Sequence, residues 1–253
     1  MFYAMFLLIT FLVLAFSFYH FQYHMMFTPK YYRSSELDDR FEILNITTND
    51  GTSLEGVVYE DKDPKATILF FPGRSYDAVG LIEKMSCAYD DIRIVTFNYR
   101  SYGKSEGKVD EKNIFTDALY VTQKIKEKYG DIYVAGFSLG SSVASFVTSK
   151  EVVKGVFLIG IYDSIAGLTK IKYGINLSLI SRYKFDNKVF VSDIDSDTYI
   201  FVSKADEVTY IQSARELKKY VKNLVFYHEF ERLTHNDLLC NKDIINKIKE
   251  IVY

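Results

Sequence analysis

The sequence contains few of the residues that mark several other classes of protein. Its 253 residues include no tryptophan, 3 prolines and 2 cysteines. So little proline excludes a long polyproline linker between domains. Cys87 and Cys240 are too few for a disulfide framework, and we interpret them as free thiols, with a single disulfide left open. The net charge is −2, and no basic stripe favours binding to nucleic acid.

Metal-ligand spacing is also missing from the sequence. The histidines, of which there are 4, form no cluster with cysteines or carboxylates at the spacings that metal sites use. We therefore expect no metal and no organic cofactor. The composition is 48% hydrophobic and 25% charged, which is typical of a globular protein with a large core.

The N-terminal segment lacks formal charge until Lys30, and the stretch from Phe2 to Phe18 is almost wholly apolar. About 20 apolar residues are enough to cross the hydrocarbon core of a bilayer. We predict an uncleaved, single-pass membrane anchor over residues 1–29. The alternative is a cleaved signal peptide with a weak site at Ala15-Phe16-Ser17, but a basic n-region is missing and the apolar stretch is too long.

The side of the membrane on which the rest of the chain lies depends on few residues. Lys30, Arg33 and Arg40 follow the anchor, and no basic side chain precedes it. The positive-inside rule then favours a cytoplasmic location, on the basis of these three side chains alone.

Residues 30–253 are interpreted as one domain. A hairpin with its turn at Asn49-Asp50-Gly51 comes first. Apolar strands, the first of them Ala66–Phe71, then alternate with amphipathic helices. This order predicts an α/β fold with a mostly parallel sheet of about eight strands and helices on both faces. The segment 161–197 has room for a small cap. In such sheets, ligands bind beyond the carboxyl ends of the strands.

Residues Gly136-Phe137-Ser138-Leu139-Gly140 follow a short predicted strand, Asp131–Ala135, and precede a predicted helix, Ser141–Ser149. Strand, G-x-S-x-G and helix together predict a nucleophile elbow, in which Ser138 is exposed at a tight turn. Only glycine is expected to fit at positions 136 and 140, where a Cβ atom would strike the neighbouring strand or helix. The alternative is a chance match, which the flanking strand and helix make several-fold less frequent.

A serine nucleophile needs a base, and the best placed histidine is His235. His20 and His24 lie in the predicted anchor, and His228 lies within a strand. His235 follows the last strand in a polar loop, at the same sheet edge as Ser138. We predict that it is the general base.

The orienting acid is predicted to be Asp206, which follows the strand that ends at Ser203. Two alternatives stay open. Asp206 and Glu207 are also typical of a pair that caps the following helix, and Asp163 follows the preceding strand. The chain order serine, aspartate, histidine favours Asp206.

These residues carry a resemblance to the α/β-hydrolase superfamily over nearly all of residues 40–253. The matching stretches are Phe70–Arg74, Asn98–Gly107, the elbow, Asp206 and His235. The chain is most similar to membrane-tethered serine hydrolases with a minimal lid, related to the prolyl-oligopeptidase-like group. The resemblance implies an α/β-hydrolase fold with a catalytic triad.

The resemblance also implies an oxyanion hole, made by the backbone amides of Arg74 and Leu139. Pro72 departs from the family pattern, which usually has histidine at that position, whereas Gly73 is retained. We interpret the segment Tyr99–Gly107 as a structural turn at the rim of the site.

We therefore expect a serine hydrolase that cleaves an acyl ester or thioester near a membrane. The substrate is a small molecule, a lipid or an acylated protein. Two alternatives are a peptidase of the prolyl-oligopeptidase-like type and a non-catalytic α/β-hydrolase scaffold that binds a partner.

Overall fold

The structure is a computed structural model. It describes residues 2–31, 37, 39–60, 63–85, 88–89 and 91–253. Cys87, which we expected in a helix, lies outside the described residues, and Cys240 is an exposed free thiol.

An eight-stranded sheet forms the centre of the described chain. Its strands are β1 (Phe41–Thr47), β2 (Ser53–Tyr59), β3 (Ala66–Phe71), β4 (Ile92–Phe97), β5 (Tyr133–Phe137), β6 (Gly155–Ile159), β7 (Asp197–Ser203) and β8 (Leu224–Phe230). They lie in the order β1-β2-β4-β3-β5-β6-β7-β8. β1 pairs with β2 and β2 with β4 in antiparallel fashion, whereas the pairs from β4 through β8 are parallel.

Helices cover both faces of this sheet. The described α-helices are α1 (Phe2–Met26), α2 (Ala78–Met85), α3 (Glu111–Tyr129), α4 (Leu139–Thr148), α5 (Ile165–Tyr173), α6 (Asn187–Val191), α7 (Ile211–Lys218) and α8 (Lys242–Val252). On one face of the sheet α3, α4 and α7 contribute to the first apolar core, and on the other face α2 and α8 contribute to the second.

The coverage of both sheet faces by helices explains why a central strand such as β3 is apolar throughout. In β3, Leu69 and Phe71 point into the first core, and Ile68 and Phe70 point into the second. Side chains alternate between the faces of a strand, so a central strand with helices on both sides needs apolar residues at every position. The predicted α/β architecture is confirmed.

Two predicted boundaries around the elbow differ slightly from the structure. The strand begins at Tyr133 rather than Asp131, because its ladder with β3 begins at Tyr133. The helix begins at Leu139 rather than Ser141, because the turn passes into helical geometry directly after Ser138. The elbow therefore occupies a single residue.

The N-terminal helix α1 is long and apolar enough to cross a membrane, judged by length and composition alone. None of its residues is buried in the protein. The chain after it enters the body of the protein at once. Phe27 is 1% exposed and packs edge-on against Tyr183, with ring centroids 4.9 Å apart. The C-terminal end of α1 is thereby held beside the carboxyl edge of the sheet.

Candidate active site

Ser138 forms the sharp turn between β5 and α4, with φ 55° and ψ −119°. This conformation is uncommon for a residue with a Cβ atom and costs about 1–3 kcal/mol, which the surrounding structure must offset. A Cβ atom on Gly136 would collide with the backbone of Gly140, and one on Gly140 would collide with the carbonyl of Phe71. Close backbone contacts thus require both glycines, as the sequence predicts.

Hydrogen bonds hold this turn against β6. The Ser138 amide donates to the carbonyl of Ile159 at 2.9 Å. The hydroxyl of Ser141 lies 2.8 Å from that carbonyl and 2.8 Å from the carbonyl of Gly136. These contacts fix Ser138 at the N-terminus of α4, where unpaired amides favour negative charge.

The Ser138 side chain remains available. The residue is 9% exposed and lines a cavity. Within the part of the chain that the structure describes, its hydroxyl makes no hydrogen bond. The hydroxyl is therefore positioned by the backbone of the turn, at the wall of the cavity.

His235 and Asp206 form a direct pair. The Nδ1 atom of His235 lies 2.7 Å from Oδ2 of Asp206, and the two side chains are 12% and 2% exposed. Asp206 follows β7 and His235 follows β8. Because these strands are parallel neighbours, both residues reach the same sheet edge, as their places after strands predict.

The Asp206 carboxylate is fully engaged. Its Oδ1 accepts hydrogen bonds from the amides of Val208 at 2.8 Å and Thr209 at 2.9 Å, and its Oδ2 accepts one from the Thr209 hydroxyl at 2.7 Å. One oxygen thus closes the local turn while the other faces His235. The alternative that Asp206 caps the following helix is wrong, because α7 has Tyr210 at its N-cap and no side-chain cap bond.

The pKa of Asp206 reflects these contacts. Burial alone raises the pKa, but the hydrogen bond and charge of His235, together with the bonds from Thr209, outweigh burial and leave the pKa below its ordinary value. The carboxylate is therefore ionised at neutral pH and suited to hold an imidazole N–H.

The imidazole of His235 lies beside the elbow. Its ring centroid is 4.8 Å from that of Phe137, the residue before Ser138. At the end of β6, a Cβ atom on Gly160 would be 3.3 Å from His235 Cε1. Ser138 and His235 form no hydrogen bond among the described residues. In ligand-free enzymes such contacts are often long and tighten when substrate binds.

Asp163, the alternative acid, has other partners. Its Oδ1 accepts a hydrogen bond from Ser213 at 2.5 Å, and its Oδ2 lies 3.6 Å from Lys188 Nζ. The Asp163 amide in turn donates to Ser213 Oγ at 2.8 Å. These contacts join the end of β6 to α6 and α7, so Asp163 has a structural place between the cap segment and the sheet.

The loop after β3 carries the predicted oxyanion-hole residue Arg74. Arg74 and Leu139 both line the cavity beside Ser138. The Tyr99 hydroxyl donates to the carbonyl of Pro72 at 2.8 Å, and the Tyr102 hydroxyl donates to the carbonyl of Arg74 at 2.6 Å. Two tyrosines of the segment that we interpreted as a structural turn therefore hold this loop.

Sequence reasoning did not identify Tyr76 as part of this site. Its hydroxyl donates to Asn236 Oδ1 at 3.2 Å, and its ring packs against Phe137 at 6.1 Å between centroids. Tyr76 thereby connects the loop after β3 to the residue next to His235. Its position two residues after Arg74 is the one signal that could have pointed to it.

A cavity of about 490 Å³ lies over Ser138. Apolar side chains from three parts of the chain dominate its wall. They come from the end of α1 (Phe18, Met25, Met26), from the cap segment (Ile165, Leu168, Leu177) and from the loop after β7 (Val208). Across the described ranges, no group of three or more histidine, cysteine or acidic side chains lies close enough to hold a metal ion.

Solved structures with a similar fold include proteins described as esterases and hydrolases. An esterase of Pyrococcus furiosus, Pf2001, superimposes with a TM-score of 0.68 and 17% identity, covering 90% of this chain and 96% of the esterase. XC6422 of Xanthomonas campestris, described as an a/b serine hydrolase without lid, superimposes with a TM-score of 0.61 and 17% identity, covering 87% and 96%.

Similarity to curated sequences is confined to parts of the chain. The zebrafish (Danio rerio) lysophosphatidylserine lipase ABHD12 is 44% identical over 54 residues, which are 21% of this chain and 14% of the lipase. An uncharacterized protein of Acanthamoeba polyphaga mimivirus, R595, is 27% identical over 108 residues, 40% of this chain and 37% of that protein. The matches thus span well under half of these relatives, and no family model matches.

The sheet order and the likeness to these solved structures show that the chain has the fold of the α/β-hydrolase superfamily, whereas its membership of that superfamily stays a prediction. Within that superfamily, the relationship to the prolyl-oligopeptidase-like group stays a prediction.

Proposed function

We propose that the protein is a serine hydrolase that cleaves an acyl ester or thioester through Ser138, His235 and Asp206. The observation that carries the proposal is the buried contact of 2.7 Å between His235 and Asp206, next to a serine held at φ 55°. A buried acid that orients a histidine beside a strained serine is the arrangement that activates a serine hydroxyl.

In the proposed acylation step, Ser138 Oγ attacks the carbonyl carbon while His235 Nε2 takes the hydroxyl proton. Asp206 Oδ2 accepts the Nδ1–H bond and stabilises the imidazolium that forms. The amides of Arg74 and Leu139 donate to the oxyanion, and one such donor is worth about 10²–10³-fold in rate. His235 then protonates the leaving alcohol or thiol, and an acyl-serine remains.

In the proposed deacylation step, His235 takes a proton from water as the water attacks the acyl carbonyl. The second tetrahedral intermediate uses the same two amides. Its collapse releases the carboxylic acid, and His235 returns the proton to Ser138 Oγ.

An acyl substrate is supported by the apolar walls of the cavity, which suit an acyl chain. Several fold neighbours are described as esterases, and the partial match in zebrafish is a lysophosphatidylserine lipase. We infer a small-molecule or lipid ester as the substrate.

We also propose that residues 1–29 anchor the protein in a membrane and that residues 30–253 form the catalytic domain, with a small cap within 161–197. The length of α1, 25 residues, supports a single span of about 37 Å. Its polar Tyr19 and Tyr23 near the C-terminal end suit a membrane interface.

The test is labelling by a fluorescent fluorophosphonate, which reacts with activated serines. The full chain in membranes is compared with Ser138→Ala and with Ser192→Ala, a substitution of an exposed serine. We expect labelling to be lost only in Ser138→Ala. Equal labelling of Ser138→Ala and the unaltered chain, or no labelling of a folded chain, would contradict the proposal.

A further inference from the structure

The segment formed by the end of α5 and the chain that leads to α6 exposes an unusual number of apolar side chains. Five apolar side chains within ten residues are each more than a third exposed, and Leu179 is 96% exposed. They are Ile171, Tyr173, Ile175, Leu179 and Ile180. Contiguous exposed apolar residues of this kind mark a surface that contacts a membrane or another protein.

Hydrogen bonds join this segment to the end of α1. Gln22 Nε2 donates to the carbonyl of Ile180 at 3.2 Å, and the amide of Arg182 donates to Gln22 Oε1 at 2.7 Å. The Arg182 guanidinium lies 4.6 Å from the ring centroid of Tyr19. Gln22 precedes the last residue of α1, Met26, by about 6 Å along the axis. The segment therefore lies where α1 would leave a bilayer.

The charged residues within the segment and next to it in the sequence are basic. One acidic side chain, Glu111 of α3, contacts its end, where the carboxylate accepts hydrogen bonds from the amides of Lys184 and Phe185. Lys170, Lys172, Arg182 and Lys184 flank the apolar residues, and no aspartate or glutamate occurs between Thr169 and Phe185. Basic side chains beside exposed apolar ones are typical of segments that lie in the interface of an anionic bilayer, because phosphate headgroups attract the charges while the apolar groups enter the acyl boundary.

The same segment borders the cavity over Ser138. Leu177, Ser181 and Tyr183 line it from the cap side, and Phe18 and Met25 line it from α1. The end of α1 and the cap segment thus each have one side that lines the cavity and an adjoining side that would face lipid.

We propose that residues 171–180 form a second membrane contact, which lies in the interface of the bilayer beside α1. The cavity then opens between this segment and α1, and an acyl chain reaches Ser138 from the bilayer without crossing bulk water. The membrane contact rests on the proposed anchor, and the path of the acyl chain rests on the proposed hydrolase activity.

The first test measures the membrane contact without catalysis. The full chain, with Cys87→Ser and Cys240→Ser, is placed in phosphatidylcholine–phosphatidylserine nanodiscs and labelled with an environment-sensitive fluorophore at Leu179→Cys. The matched control is Val152→Cys, because Val152 is 69% exposed and precedes β6, at the opposite edge of the sheet. Lipids that carry a spin label on the acyl chain then act as quenchers.

We expect the label at position 179 to emit at shorter wavelength and to be quenched at least threefold more strongly than the label at 152. Equal quenching at both positions would overturn the proposal. A blue shift at 179 without lipid quenching would also overturn it, because it would indicate a protein partner or a second copy of the chain.

The second test uses Leu179→Asp, with Val152→Asp as its control. Hydrolysis of a long-chain ester presented in vesicles should fall about tenfold in Leu179→Asp, while fluorophosphonate labelling in detergent stays unchanged. Unaltered vesicle hydrolysis would overturn the path of the acyl chain. Failure of the unaltered chain to label at all would refute the hydrolase activity and leave the fluorescence result valid.

Discussion

Replacing Asp206 by asparagine tests the candidate triad most directly, because the structure determines how the new amide must orient. Oδ1 of Asp206 receives two backbone N–H groups, from Val208 and Thr209. An asparagine that turned its NH₂ group toward these donors would leave both unpaired, at a cost of about 1–3 kcal/mol each. The amide oxygen therefore stays on that side.

The NH₂ group of the asparagine then faces His235. Nδ1 of His235 must then accept a hydrogen bond from this NH₂ group, so the ring proton moves to Nε2. Nε2 is the atom that must be unprotonated to take the proton of Ser138. A histidine held in this tautomer cannot act as the base. We expect kcat to fall about 10³–10⁴-fold, equivalent to about 4–5.5 kcal/mol of transition-state stabilisation.

The assay is hydrolysis of a short-chain nitrophenyl ester by the full chain in detergent, with the rate of fluorophosphonate labelling measured in parallel. Asp163→Asn is the matched control, because Asp163 is equally buried and contacts Ser213 and Lys188 instead of His235. We expect this control to lose less than tenfold. If Asp163→Asn abolishes activity and Asp206→Asn does not, the reasoning is refuted.

The difference in stability between the unaltered chain and Asp206→Asn is expected to depend on pH. Because folding lowers the pKa of Asp206, its ionised form contributes stability above the unfolded value of about 3.9, and this contribution is lost as the pH falls through the folded value. The difference in unfolding free energy between the unaltered chain and Asp206→Asn should therefore shrink below about pH 4. A difference that grows with acid would contradict the assigned contacts.

Two further substitutions test the elbow and the loop after β3. Gly140→Ala places a Cβ atom against the backbone of Phe71 and should lower the free energy of unfolding, measured in urea, by about 3 kcal/mol or more. The control is Gly174→Ala, where a Cβ atom meets open space and the loss should be about 1 kcal/mol. Equal losses of stability in the two variants would disprove the close contact at Gly140. Tyr102→Phe removes the hydrogen bonds to Arg74 and Thr28 and should slow fluorophosphonate labelling about 5–10-fold, since one such bond is worth about 1 kcal/mol. Tyr220→Phe, at a half-exposed tyrosine outside the site, should not slow it.

The parts of the fold that the sequence predicts are those set by local patterns. The strand Ala66–Phe71 was predicted with the bounds that the structure has, because an uninterrupted apolar stretch of that length between polar turns has few other solutions. The placement of Asp206 and His235 followed from the rule that parallel strands end at one edge. The requirement for glycine at positions 136 and 140 was predictable because the tight turn of the elbow motif leaves no room for a Cβ atom there.

The parts that could not be predicted depend on contacts between distant segments. Gln22 and Ile180 are 158 positions apart, and no periodicity in either segment indicates that they meet. Nothing in the sequence distinguishes Tyr99 and Tyr102 from the other residues among the 21 tyrosines. Their hydrogen bonds to the loop after β3 become evident only in the folded structure. Such contacts arise from tertiary packing, which local propensity does not encode.

The end of α1 and Thr28 after it are bonded to the loop after β3, which connects the proposed membrane anchor to the proposed oxyanion hole. The Tyr102 hydroxyl bonds both Thr28, just after the helix, and Arg74, and the Arg74 guanidinium donates to the carbonyl of Met25 at the helix end. A shift in helix tilt, such as a thicker bilayer imposes, therefore displaces the same loop that carries the Arg74 amide. On the proposed function, turnover should vary with bilayer thickness, and removing α1 to obtain a fragment without the anchor would alter the candidate site as well as its location.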